Sequence, residues 1–218
     1  MRKPYRVALP VTAVLALAGI TASGTVPADA ASKAVLDQGH VDVVGIAYEN
    51  GALHVHVHDE AHAVEYTPSE VQLVAKPSAQ ITVPDDPAYR FLGTPGSHAW
   101  VLPQVQDPDL LWPGIGAEEV PPGTFTGDAL KVDLVGVSGP ADVSIFTTDA
   151  FGTPTILADS GDGLPDTVST TAGGHQHANW AFEAPGYYTL KVRVSGTLAA
   201  TGKKITSSIA TYCFKVGL

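Results

Sequence analysis

The chain has 218 residues, with 12 Lys or Arg against 22 Asp or Glu, for a formal charge of −10. An acidic chain lacks the basic footprint of a nucleic-acid binder, and its one cysteine, Cys213, excludes an intrachain disulfide. A hydrophobic share of 44% suits a globular protein that rests on its core.

In chain order, Arg2, Lys3 and Arg6 precede an apolar run over 7–20, and Ala28-Asp29-Ala30 follows as a small-x-small cleavage signal. This predicts a signal peptide over 1–30 and a secreted product, extracellular or at the cell surface. Pro10 interrupts a run too short to span a bilayer. No second long apolar run follows, so residues 31–218 are expected to form one domain without a membrane span. Strands are predicted at 41–47 (VDVVGIA), 53–58 (LHVHVH), 130–137 (LKVDLVGV), 143–147 (VSIFT) and 188–194 (YTLKVRV), each bounded by Gly, Pro, Asp or Asn clusters. Residues 205–216 read as a final strand or a bent pair. Helical periodicity is missing over any long stretch. The expected fold is all-β, an antiparallel immunoglobulin-like β-sandwich. The run Ala184-Pro185-Gly186-Tyr187-Tyr188 fits the Gly-x-Tyr approach to a tyrosine corner, which makes the last of these strands central. Cys213 falls in an apolar strand pattern and is expected to be a buried, inert thiol.

Residues 84–127 break the pattern. They hold eight prolines and six glycines, yet also Phe91, Leu92, Trp100, Leu110, Leu111 and Trp112, which a disordered linker would lack. The segment is expected to be a long Pro/Gly/Trp-rich insertion packed over one end or face of the sandwich, or an extension of its core.

Histidine is the residue type that points to chemistry, because neutral imidazole is the commonest metal ligand. A site needs three or four converging donors, with zinc–nitrogen distances of about 2.0–2.1 Å. His175 and His177 would share one face of a strand. An arbitrary His-x-His is more often a pair of exposed turn histidines, but Gly173-Gly174 before it and Asn179-Trp180 after it favour ligands here. His40 and Asp42 also share a face and offer a nitrogen and an oxygen. His54, His56 and His58 form a showier row, yet one straight strand spaces them roughly 6.5–7 Å apart, so at most two can share an ion. They stand as secondary metal candidates beside the reading of a plain polar strand face. A Gly-x-Ser-x-Gly elbow, a phosphate-binding glycine loop and a His-Glu-x-x-His motif are all missing. Glu49 and Glu183 are candidate bases only by their nearness to motifs, so a non-enzymatic role is expected.

GHVDV at 39–43, FLGTPGSHAWVLPQ at 91–104, DLLWPGIG at 109–116, Gly139-Pro140 and GGHQHANWAFEAPGYYTLKV at 173–192 occur in one order. Together they resemble the actinobacterial surface-anchored domain called the choice-of-anchor M domain, over roughly residues 38–216. The resemblance implies a substrate receptor or relay beside an ABC transporter of the zinc/manganese type. Its partner would be that transporter's substrate-binding protein or a related surface protein. Position by position, the family's motif histidines fall on His40, His175 and His177, and the LHVHVH run lies outside the motif. Unlike anchored members, the chain carries no wall-sorting signal, so release or retention by a partner is expected.

The combined expectation is a divalent-metal receptor or relay domain holding zinc first, copper or manganese next, on His40, His175 and His177. Asp42 would be a fourth donor or an acceptor for an imidazole N–H. The alternative is a module for an organic ligand or cell-wall component, with Trp100, Trp112 and Trp180 lining a groove.

Overall fold

A computed structural model describes residues 33–218. The basic and apolar segment expected to be a signal peptide lies outside the described residues. Among the described residues the strands are β1 (Ala34–Leu36), β2 (Gly39–Glu49), β3 (Ala52–Asp59), β4 (Val64–Tyr66), β5 (Val71–Ala75), β6 (Gln80–Thr82), β7 (His98–Leu102), β8 (Leu111–Glu119), β9 (Phe125–Ser138), β10 (Val143–Thr148), β11 (Pro154–Asp159), β12 (Asp166–Thr171), β13 (His175–His177), β14 (Asn179–Phe182), β15 (Gly186–Leu198), β16 (Lys204–Thr206) and β17 (Ala210–Val216). Three short 3-10 helices complete the regular structure. Among the described residues no helix is long and apolar enough to cross a membrane.

The fold is all-β, as the alternating patterns predict. One sheet runs β1-β5-β17-β15-β9-β12, with β16 paired to β15. A second runs β11-β10-β14-β7-β6, and a third β13-β8-β2-β3-β4. Val41 and Ile46 of the third sheet, Leu190 and Phe214 of the first, and Ile145 and Trp180 of the second belong to one buried apolar cluster. The sheets therefore share a core, which is what lets short strands hold without disulfides.

The pairing is not wholly antiparallel. β1 with β5, β17 with β5, and β2 with β8 run parallel. A parallel pair needs a crossover of a dozen or more residues, and the chain between β2 and β8 supplies one. The stretch 84–127 is likewise no cover laid over a finished sandwich. It supplies β7, paired on both sides by β6 and β14, and β8, paired on both sides by β2 and β13. Seven of its prolines lie outside the strands, and Pro113 lies inside β8, within its ladder to β2. Pro113 sits one residue beyond the β13 pairing, which spans Gly114 to Gly116, so its missing N–H interrupts nothing on that side.

The tyrosine corner is present. The buried Tyr188 hydroxyl donates to the Ala184 carbonyl at 2.8 Å and receives the Ala184 N–H at 3.3 Å. β15 above it is paired by both β17 and β9. Tyr188→Phe leaves the part-buried Ala184 carbonyl short of its donor, which costs about 1 kcal/mol. Urea unfolding should show the lower midpoint with an unchanged slope; an unchanged midpoint would remove the corner from the fold's supports. Cys213, on β17, is half-buried rather than buried, with the Lys33 ammonium 2.9 Å from its sulfur.

Candidate metal centre

The third sheet carries the histidines in register. Across it, His177 pairs Gly114, Gly114 pairs Asp42, Asp42 pairs His58 and His58 pairs Glu65. In the next row His175 pairs Gly116, Gly116 pairs Gly45 and Gly45 pairs His56. The step from Asp42 to Gly45 contains a β-bulge, where Val43 and Val44 together face only Val57. The extra residue resets the alternation of β2. Both valines are buried, and Gly45 comes to the face that bears Asp42. The turn before β13 is set by Gly173, at a φ of +74° that other residues rarely adopt. Its N–H donates to the Ala117 carbonyl, and the Ala117 N–H donates to Gly174, which lays β13 along β8.

Four donor atoms converge on this face. His175 Nε2 lies 3.1 Å from His40 Nε2 and 3.1 Å from His177 Nε2. Asp42 Oδ1 lies 3.2 Å from His175 Nε2 and 3.4 Å from His40 Nε2. A tetrahedral ion with bonds of about 2.0–2.1 Å would separate its ligands by about 3.3–3.4 Å. The four separations lie near that value, and His40, His175 and His177 form a donor group that could hold a metal ion, with Asp42 beside His175 and His40.

The far ring nitrogens fix which tautomer faces inward. His177 Nδ1 lies 2.8 Å from the Pro113 carbonyl, which can only accept, so Nδ1 carries the hydrogen and Nε2 the lone pair. His175 Nδ1 meets the Glu118 carboxylate, with the same consequence. Carbonyl and carboxylate acceptors behind ligating imidazoles are the usual outer partners of metal histidines. Two lone pairs at 3.1 Å, with a carboxylate oxygen beside them, repel one another unless a cation lies between. Asp42 is 2% exposed and its Oδ1 has no hydrogen-bond partner, a costly arrangement for a buried carboxylate. Burial raises its pKa, with His175 acting against that. Burial likewise pushes the His177 pKa down, reinforced by His175 and His40 and opposed by the Pro113 carbonyl. The shift favours the neutral imidazole that a ligand must be.

Trp112 walls the cluster. Its ring stacks on His177 at 3.7 Å and 8°, and lies 4.7 Å from His40. Its Nε1 donates to the Gln104 carbonyl, and the Gln104 N–H donates to Asn179 Oδ1. Asn179, two residues past His177, thus holds the Trp that backs His177. The His40 and His175 side chains remain about a quarter exposed, at 25% and 24%, so the cluster opens to solvent.

The other sequence candidates fall elsewhere. His54 is exposed and joins no converging donor group among the described residues. His56 and His58 have ring centroids 6.4 Å apart and belong to separate groups, His56 with Glu65 and Glu119, His58 with Asp42 and Glu60. Trp100 and Trp180 line no groove, being 9% and 1% exposed. Trp180 stacks on Phe214 in the core, because β14 lies inside its sheet. Glu49 is exposed at the end of β2, and Glu183 lies near Asp142 and Asp159, where burial and those charges raise its pKa. Glu118 is a part of the site that no sequence motif announced, and Gly114 and Gly116 lie in DLLWPGIG, which gave no sign of what room they leave.

No family model, curated protein or solved structure matches the chain.

Proposed function

We propose that this protein is an exported receptor or relay domain for a divalent metal, zinc first and copper or manganese next. The observation that carries the reading is the convergence of three imidazole Nε2 atoms, with His175 Nε2 3.1 Å from each of the other two and 3.2 Å from the buried Asp42 Oδ1. Three neutral nitrogens and one oxygen suit zinc, which takes tetrahedral sites from these donors, and imidazole also suits copper. The partly exposed histidines favour an ion that enters and leaves over a closed structural site. Service to an ABC uptake system rests on the motif resemblance alone, through the order of GHVDV, DLLWPGIG and GGHQHANWAF. Catalysis is not proposed, since Glu118, the carboxylate beside His175, is engaged by its Nδ1.

The groove reading loses its basis with Trp100 and Trp180 in the core. The test is thermal unfolding of chelator-treated protein with added zinc, copper or manganese. A ligand that binds only the folded state stabilises it by about 2.7 kcal/mol at a free concentration a hundredfold above Kd. Zinc should raise the melting temperature most, and chelator should reverse the shift. An unchanged melting temperature with all three metals, together with no heat of binding, would sink the reading.

A further inference from the structure

The polar face does not end at the four converging donors. Beyond Asp42, toward β3, lies a cavity of about 230 Å³ whose charged and imidazole lining is Asp42, His56, His58, Glu60, Glu118 and Glu119. It contains four carboxylates and no Lys or Arg, so the lining calls for positive charge. The glycines make the room. A Cβ on Gly45 would overlap the His56 ring, and one on Gly116 would sit 2.5 Å from Asp42 Oδ2 and 2.7 Å from Glu118 Oε2. The two oxygens of Asp42 therefore look over different glycines. Oδ1 lies over Gly114, against His40 and His175, and Oδ2 over Gly116, which lines the cavity.

We propose that Asp42 bridges two divalent-cation positions, the second completed by His58 and Glu60. Donor atoms of Asp42, His58 and Glu60 lie within 4.8 Å of one another. His58 Nδ1 is 3.3 Å from Glu60 Oε1, and His58 pairs directly with Asp42 across the strands. Partly exposed His–Glu pairs alone are ordinary surface chemistry. Asp42 is different, a 2%-exposed carboxylate set between two groups of imidazoles, its unpartnered Oδ1 on the three-histidine side and its Oδ2 turned to Gly116 and the cavity. A carboxylate in that position is neutralised most fully by a cation on each side. The second position has one nitrogen donor instead of three, and its His58 and Glu60 side chains are 26% and 39% exposed. It is the weaker and more open of the two, suited to an ion in transit to or from the three histidines.

This inference rests on the proposed metal-binding function, and one titration separates the two. The full chain, stripped of metal, is titrated with zinc chloride by calorimetry, beside His58→Ala and Glu60→Gln. Glu60 is exposed in the turn after β3, so Glu60→Gln leaves folding intact even if His58→Ala does not. Two equivalents of zinc in the unaltered chain, one tight and one weaker, with only the tight one kept in Glu60→Gln, is the expected result. One equivalent in all three proteins overturns the second position and leaves the three-histidine centre standing. Two equivalents in every variant overturn it too, since the second ion is then held elsewhere. No zinc bound by the unaltered chain overturns both readings.

Discussion

His177→Ala is expected to weaken zinc binding by more than the ~10–100-fold typical of losing an outer partner of a ligand, with little loss of fold stability in the metal-free protein. His177 supplies one of the converging Nε2 atoms, 3.1 Å from that of His175. Its ring is held on two sides, by the Pro113 carbonyl at Nδ1 and by the stacked face of Trp112. The nitrogen is therefore pre-aimed, and little ordering entropy is lost when an ion binds. Alanine removes the donor and uncovers one face of Trp112 without touching the shared core. Glu118→Gln is the matched comparison. Its amide oxygen can still accept from His175 Nδ1 but no longer carries charge, so the loss should stay within the outer-partner range. Chelator competition at fixed pH measures both. Equal and small effects of the two substitutions would remove His177 from the set of ligands.

Much of this arrangement was legible in the residues, for reasons that also explain where legibility stopped. YTLKVRV and LKVDLVGV alternate cleanly because β15 and β9 bury one face and expose the other, and period two is the most direct strand signal. The last segment resolves as a bent pair, β16 and β17, because residues 207–209 leave the sheet. β8 was hidden because the Pro113, Gly114 and Gly116 within it ordinarily demote a strand, and β7 because it is only five residues long inside the same Pro/Gly-rich stretch. LWPGIGAEE is nonetheless a strand, its pairing supplied by β2 and β13, partners far away in the sequence. Alternation placed His40 with Asp42 and His175 with His177 as same-face pairs. That the two pairs meet depends on β8 lying between β2 and β13, which local pattern does not encode. The LHVHVH row was read soundly as too widely spaced for one ion, yet its register opposite Asp42 and Gly45 depends on the bulge at Val43–Val44. The Trp groove failed on burial. Tryptophan content marks aromatic surface without saying which side of a sheet receives it, and Trp180 faces Phe214.

Gly114→Ala is expected to abolish tight zinc binding although it replaces no ligand. Gly114 is not among the positive-φ residues, so alanine meets no backbone objection there, and the whole effect is one of space. A Cβ at this position would overlap Asp42 Oδ1 and lie 3.0 Å from His175 Nε2. Asp42 cannot retreat along the sheet, because β2 is laddered to β8 on one side and to β3 on the other. Its carboxylate must leave the cluster, or the strands must part. Overpacking of this kind costs typically ~1–3 kcal/mol, so the melting temperature should fall as well. Gly136→Ala separates the local effect from a general intolerance of side chains at strand glycines. Its Cβ would meet only Lys191 side-chain carbons, the nearer at 3.6 Å, an ordinary contact, and zinc affinity there should be unchanged. Wild-type zinc affinity in Gly114→Ala would mean that Asp42 is not a ligand. The centre would then be three histidines with an open fourth position, and the bare strand β8 would need another explanation.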